Sequence, residues 1–164
     1  MEIAAQELSA SAFSAFGDIV ERPSRNPDAG SDGWSWWAET QLLPVDSRPY
    51  TIGYLQLVPG HLDFDWAERH LKTVEMIVPL GGDCLVHVAP PDPSNEPDRE
   101  PSLDDYRVFR IRQGQAVILR PGVWHAAPFT VNENTSALVF LLENTGRDDT
   151  RVVRFPDTPI TIRP

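Results

Sequence analysis

The chain has 164 residues and a mass of 18.4 kDa, which is enough for one domain with a substantial core and too little for two ordinary domains. Its 14 Lys and Arg against 24 Asp and Glu leave a formal net charge of -10, so the surface lacks the cationic patch that nucleic acids and anionic membranes require. The sequence therefore predicts a single domain over residues 1–164 that binds neither nucleic acid nor membrane.

Proline and cysteine usage narrows the class of protein further. Sixteen prolines together with 41% hydrophobic residues favour many short strands and turns over long helices. Cys84 is the one cysteine, so the chain cannot form an internal disulfide, as is usual in a reducing compartment. The opening residues, MEIAAQELSASAF, lack the basic and long apolar regions of a signal peptide. We therefore expect a cytoplasmic protein.

The N-terminal segment predicts a short helix. Ser9 or Ser11 can cap its start and Gly17 can end it. The apolar face of this helix comprises Leu8, Ala12, Phe13 and Phe16. A strand is expected to follow over residues 18–21.

Residues 22–33 are turn formers, and they lead into a predicted edge strand where Trp34 and Trp36 alternate. From Tyr50 onward the apolar pattern has a period of two, with turn signals between the runs. These runs without helical periodicity predict an all-β barrel or sandwich, and residues 90–105 predict a long exposed acidic loop. The runs are YTIGYLQLV, EMIVPL, DCLVHVA, YRVFRI, QAVILR, SALVFLL and RVVRF.

Two segments combine residue types and spacings that suit one chemical site. In AERHLKTVEMIVPLGG, Glu68 and His70 share one face of a strand, and a turn brings Glu75 beside them on the next strand. In GQAVILRPGVWHAAPF, a turn ending at Gly122 is followed by His125. Imidazole and carboxylate together suit Mn, Fe, Ni or Zn. Such a metal can leave positions open for a substrate oxygen.

These spacings resemble the two signature motifs of the cupins. The second motif is matched by Gly114, Gly122 and His125, and the first by His70, Glu75 and Gly82. Glu68 stands where the first metal-binding histidine is usual, and Pro121 lies one residue from the usual proline position. The resemblance implies a cupin-like double-stranded β-helix barrel, here with a short N-terminal helix.

A closer resemblance, to the ureidoglycolate lyase family, covers most of the chain. The family is similar in the runs FSAFGDIVE, ERH, IVPL, GVWH and LLENTGRDD. Glu75 stands where the family usually has Gln, and Ala126 where a second His is usual after GVWH. The sequence is therefore identified as a divergent member of this family, and a substrate different from that of the family remains an open alternative.

The resemblance implies a carbon–nitrogen lyase that splits ureidoglycolate into glyoxylate and urea in allantoin and purine breakdown, and a homodimer. An exposed strand bearing Trp34, Trp36 and Trp37 agrees with pairing of two subunits.

Roles can be assigned to candidate residues around an anionic small-molecule substrate. A divalent metal (Ni, Mn, Fe or Zn) would be held by His70, Glu75 and His125. Alternatively, the two histidines bind the substrate directly and Glu75 is the general base. Cleavage also needs a base, an acid and a cation for the substrate carboxylate, for which Lys72 and Arg120 are candidates. We therefore predict catalysis by His70, Glu75, His125 and Lys72, and substrate binding by Arg120, Trp124 and Glu68.

Two alternatives remain open from the sequence. One is a metal-dependent cupin isomerase, lyase or oxygenase acting on another small hydroxy acid or sugar acid. The other is a non-catalytic cupin that binds a small molecule, because a fold alone implies no function. His87, on one of the predicted strands, could also point into the barrel and line the site.

Overall fold

The computed structural model describes residues 1–44, 47–92 and 99–164, with the side chain of Trp34 outside that description. The first half of the chain holds β1 (Glu2–Glu7), α1 (Ala10–Phe13), β2 (Gly17–Val20), β3 (Ala29–Ser31), β4 (Trp34–Trp36), β5 (Tyr50–Leu57), β6 (Asp63–Phe64), β7 (Trp66–Arg69) and β8 (Glu75–Pro79). The second half holds β9 (Cys84–Ala89), a 3-10 turn (Leu103–Asp105), β10 (Arg107–Ile111), β11 (Ala116–Leu119), β12 (Trp124–His125), β13 (Thr135–Leu142), α2 (Thr145–Asp148), β14 (Arg151–Arg154) and β15 (Ile160–Arg163).

The strands form two main sheets. One has the order β14-β7-β12-β9-β10-β1-β15-β6 and the other the order β2-β11-β8-β13-β5, while β3 and β4 make a separate hairpin. All pairings are antiparallel except those of β1 with β10 and β15. This architecture confirms the predicted all-β, cupin-like barrel with one short helix near the N-terminus.

The core lies in two clusters on opposite faces of the eight-stranded sheet. Along β9, Val86 and Val88 face a cluster shared with the five-stranded sheet, whereas Leu85 and Ala89 face a second cluster. The eight-stranded sheet curls around the second cluster. Its edge strands are β6 and β14, and the ring of Phe64 in β6 lies 6.0 Å from the ring of Phe155, which follows β14. Alternation along a strand thus separates the two cores.

His87 lies in this second cluster and not in the site described below. Its ring is buried and stacks on Phe64 at a centroid distance of 3.9 Å. Burial, with a smaller contribution from the charge of His125, lowers the pKa of His87 to about 3. His87 therefore belongs to the hydrophobic packing as a neutral ring.

The predicted strands from Tyr50 onward all form. The helix also forms, with Ser9 accepting a hydrogen bond from the Ala12 amide at 3.3 Å. Gly17 does not end this helix, which ends at Phe13, but begins β2. That strand lies so close to β11 that a Cβ at Gly17 would overlap the Ile118 carbonyl. The sequence did not indicate β1, which the structure pairs with two distant strands.

Of the predicted loop over residues 90–105, residues 93–98 lie outside the described residues. Its C-terminal part forms the 3-10 turn, capped by Ser102 through reciprocal hydrogen bonds with Asp105. Within the described ranges, no helix is long and apolar enough to cross a membrane.

Candidate active site

A cavity of about 230 Å³ opens beside the start of β8. Its polar wall contains Glu68, His70, Glu75, Thr145 and Thr150. Its apolar wall contains Leu55, Ala127, Pro128, Val139 and Leu141. Such a mixture of apolar lining and a few converging polar groups is typical of small-molecule sites.

Strand register brings the distant motif residues together. His125 on β12 lies opposite Glu68 on β7, and on its other side opposite Val88 on β9. Since directly paired residues point to the same face, Glu68 and His125 both face the interior between the sheets. Glu75 begins β8, and His70 follows the end of β7.

Glu75 joins the two histidines. Its Oε2 lies 3.1 Å from Nε2 of His125 and 3.4 Å from Nε2 of His70. The two imidazole rings are 5.3 Å apart, centroid to centroid, at 70° to one another. All three side chains are buried or nearly so, which makes their interactions strong because water screens them little.

The opposite ring nitrogens fix the histidine tautomers. Nδ1 of His125 lies 2.9 Å from the Val123 carbonyl, and Nδ1 of His70 lies 3.0 Å from the Asp149 carbonyl. A carbonyl oxygen only accepts hydrogen bonds, so both Nδ1 atoms carry protons. In a neutral ring, Nε2 then presents a lone pair to Glu75, which is itself an acceptor. At the 3.1 Å separation of His125 and Glu75, a proton or a metal ion is needed between the two atoms.

The ionisation states of Glu75 and His125 follow from this geometry. Burial alone would raise the pKa of Glu75, but the charge and hydrogen bonds of His125 and His70 outweigh it and hold that pKa at about 2. Burial would lower the pKa of His125, yet the adjacent Glu75 carboxylate raises it. The protein therefore favours an ionised Glu75 beside a protonated His125.

The same side chains fit a divalent metal. One ligand atom from each of Glu68, His70 and His125 lies within 4.8 Å of the others, and Glu75 contacts both histidines at the distances above. Two imidazoles with carboxylates are the ligand types that Mn, Fe, Ni and Zn accept. The donor set, including the unusual Glu68, is thus compatible with the predicted metal.

The other predicted site residues lie outside the cavity lining. Lys72 donates its backbone N–H to Asp149, and its Nζ lies 3.4 Å from the Asp148 carbonyl. Arg120 donates to the Ser14 carbonyl at 2.7 Å and is exposed. Trp124 is buried in the second cluster, with the Arg69 guanidinium 4.6 Å from its ring centroid. Among the described lining residues there is no Lys or Arg.

Sequence reasoning missed the contribution of four residues between β13 and β14. Thr145, Gly146 and Thr150 line the cavity, and Asp149 contacts His70. The run LLENTGRDD, which resembles the family, marked this segment as similar but gave no reason for placing it beside His70.

Fold and site together define a cupin-like β-barrel with a buried histidine–carboxylate centre. The sequence model of the ureidoglycolate lyase family matches residues 1–163, and the chain belongs to that family of enzymes. Ureidoglycolate lyase of Escherichia coli (strain K12 / DH10B) is 26% identical over 161 residues, covering 96% of each chain. Ureidoglycolate lyase of Schizosaccharomyces pombe is 30% identical over 100 residues, which span 58% of this chain and 50% of that protein.

Solved structures resemble the chain only distantly. Protein NMB1881 from Neisseria meningitidis has a TM-score of 0.40 at 17% identity, covering 60% of this chain and 80% of that one. Hydroquinone 1,2-dioxygenase from Sphingomonas sp. TTNP3 has a TM-score of 0.42 at 17% identity, covering 60% and 62%. At this level of similarity, neither structure supports a statement about chemistry.

Proposed function

We propose that the protein is a carbon–nitrogen lyase that cleaves ureidoglycolate into glyoxylate and urea, in the breakdown of purines by way of allantoin. The observation that carries the proposal is the placement of His70 and Glu75 on the wall of an open cavity in a chain of this family. Family membership favours this function over another cupin enzyme or a binding module.

The reaction moves one proton. The reacting carbon of ureidoglycolate bears a carboxylate, a hydroxyl and the ureido nitrogen. Loss of the hydroxyl proton lets the oxygen form the carbonyl of glyoxylate while the carbon–nitrogen bond breaks, and its electron pair leaves with urea. The nitrogen must gain the proton that the hydroxyl loses, so a single group acting first as base and then as acid is sufficient.

His70 is suited to this proton transfer. Its Nδ1–H donates to the Asp149 carbonyl, which leaves the Nε2 lone pair available at the cavity wall. Glu75 and protonated His125 form the charged pair behind it. A fixed ring orientation keeps the reacting groups aligned and avoids the cost of ordering them during the reaction.

A divalent metal is the alternative form of the proposal. Glu68, His70 and His125 would hold it. The Nε2 lone pairs of both histidines would then be used as ligands, so Glu75 would be the base for the substrate hydroxyl, whose pKa the metal would lower as a Lewis acid when bound. Positive charge for the substrate carboxylate would come from this centre or from Lys72 on the turn after His70. The acidic protein needs such local charge because its overall field repels an anion.

The test is to incubate purified protein with ureidoglycolate and to measure urea and glyoxylate, before and after chelation and after adding back each metal. We expect equal amounts of both products. Activity that survives chelation would support proton transfer by the free Nε2 of His70, whereas activity that is lost on chelation and restored by one of Ni, Mn, Fe or Zn would support the metal form. Absence of turnover in every condition would refute the lyase, whereas turnover unaffected by chelation would refute only the metal.

We further propose a cytoplasmic homodimer. The single Cys84 is buried and forms no disulfide within the chain, as suits a reducing compartment. Ile52 and Tyr54, on one face of the edge strand β5, are 65% and 70% exposed, and Trp36 on the β3–β4 hairpin is 59% exposed. Exposed apolar side chains of this size favour contact with a second subunit.

A further inference from the structure

Asp149, which follows α2, contacts three consecutive residues around His70. Its side-chain oxygens accept the backbone N–H groups of Leu71 at 3.1 Å and Lys72 at 2.8 Å. Its own carbonyl accepts the Nδ1–H of His70 at 3.0 Å. One residue thus binds both the ring of His70 and the turn that follows it.

The segment that carries Asp149 is itself anchored. The Asp149 N–H donates to the Thr145 carbonyl at 2.9 Å, and the Thr150 hydroxyl donates to the same carbonyl at 3.1 Å. The Thr150 hydroxyl also lies 3.3 Å from Nδ1 of His70. The acceptor for the His70 ring is therefore held in place from two sides.

We propose that Asp149 is a positioning residue for the lyase reaction, an inference that rests on the proposed function. Its carboxylate holds the turn after His70, and its carbonyl fixes the proton on Nδ1, so that Nε2 of His70 faces Glu75 and the cavity. Asp149 does not line the cavity and acts through His70 and the turn that follows it.

The negative charge of Asp149 matters because two N–H donors share one side chain. A carboxylate can accept both hydrogen bonds, and charge strengthens each. An asparagine of the same shape offers one acceptor oxygen and would turn its NH₂ group toward the other N–H. An alanine offers no acceptor, so the turn and the Asp149 carbonyl are free to separate from the ring.

The kinetic test compares Asp149→Ala, Asp149→Asn and the control Asp148→Ala. Asp148 is the neighbouring exposed carboxylate, and its side chain contacts Arg147. We expect Asp149→Ala to lower kcat about 10- to 100-fold, as is typical for partners that orient an active-site histidine, with KM changed much less. Asp149→Asn should recover part of kcat, and Asp148→Ala should match the wild type. Unchanged kcat in Asp149→Ala, or an equal loss in Asp148→Ala, would overturn the proposal.

A spectroscopic test separates this proposal from the proposed function. The chain has four histidines, so the Nδ1–H signal of His70 can be assigned in ¹H–¹⁵N spectra by its loss in His70→Asn. We expect a slowly exchanging Nδ1–H in the wild type that exchanges faster or disappears in Asp149→Ala. Retention of that signal in a folded Asp149→Ala protein would refute positioning, even if the wild type cleaved no ureidoglycolate.

Discussion

At the scale of single residues, the central feature is the shared carboxylate oxygen of Glu75. It holds His125 in the charged form although the ring is buried, and its own pKa falls to about 2 in return. The spacing of the two motifs predicted that His70, Glu75 and His125 would meet. Sequence could not predict the Val123 and Asp149 carbonyls that set the tautomers, because any residue can supply a backbone carbonyl.

Replacing Glu75 by Gln should lower the pKa of His125. The shape is kept, but the carboxylate that raises this pKa is removed while the burial that lowers it remains. NMR titration of the histidine ring protons measures the change, with Glu7→Gln, an exposed site far along the chain, as the control. A His125 that titrates as in the wild type would contradict the assigned cause.

Replacing His87 by Leu should make the protein more resistant to acid. The folded-state pKa of about 3 lies below the ordinary value of 6.5, so between these values the native state binds fewer protons than the unfolded chain. The stability that depends on neutral His87 is therefore complete above pH 6.5 and is lost as the pH falls.

Circular dichroism during acid titration measures this effect. The unfolding midpoint of His87→Leu should move to lower pH, while the exposed His61 replaced by Leu should leave it unchanged. An identical midpoint in wild type and His87→Leu would show that protonation of other groups controls acid unfolding.

At the scale of elements, the period of two predicted the strands well because it reports one buried face per strand. Strand β1 escaped prediction because its sequence, EIAAQE, has weak alternation and its partners β10 and β15 are distant in the chain. For the same reason the sequence did not place Thr145, Gly146, Asp149 and Thr150 in the site: Asp149 meets His70 across 79 positions of sequence. Local patterns specify elements, whereas these contacts arise only when the sheets close.

The close approach of β2 and β11 predicts a specific instability. A Cβ at Gly17 would overlap the backbone carbonyl of Ile118, whereas nothing lies within 4 Å of a Cβ at Gly33. We expect Gly17→Ala to lower the free energy of unfolding by about 1–3 kcal/mol, as in other overpacked sites, and Gly33→Ala to have little effect. Urea unfolding of both variants tests this, and equal stability of the two would contradict it.

At the scale of the whole molecule, the net charge of -10 describes the surface, whereas the proposed chemistry uses a few buried groups. The uncharged patch formed by Ile52 and Tyr54 on β5 is the surface that we expect to pair in a dimer. Ile52 and Tyr54 project from the face of β5 opposite to Leu55, and Leu55 packs on the first core cluster.

The dimer can be tested by analytical ultracentrifugation. The wild type should sediment with the mass of two 18.4 kDa chains, and the double variant Ile52→Asp with Tyr54→Asp with the mass of one. Val152→Asp, an exposed apolar site on β14 in the other sheet, is the control and should remain dimeric. A monomeric wild type would refute the proposed assembly.

The most direct test of the account is the kcat of His70→Asn for ureidoglycolate cleavage, measured by urea and glyoxylate release beside wild type and the exposed control His61→Asn. If Nε2 of His70 transfers the proton from the hydroxyl to the leaving nitrogen, kcat should fall about 10²- to 10⁴-fold in His70→Asn. The His61 variant should match the wild type. A folded His70→Asn protein that cleaves ureidoglycolate at the wild-type rate would contradict the proposed site.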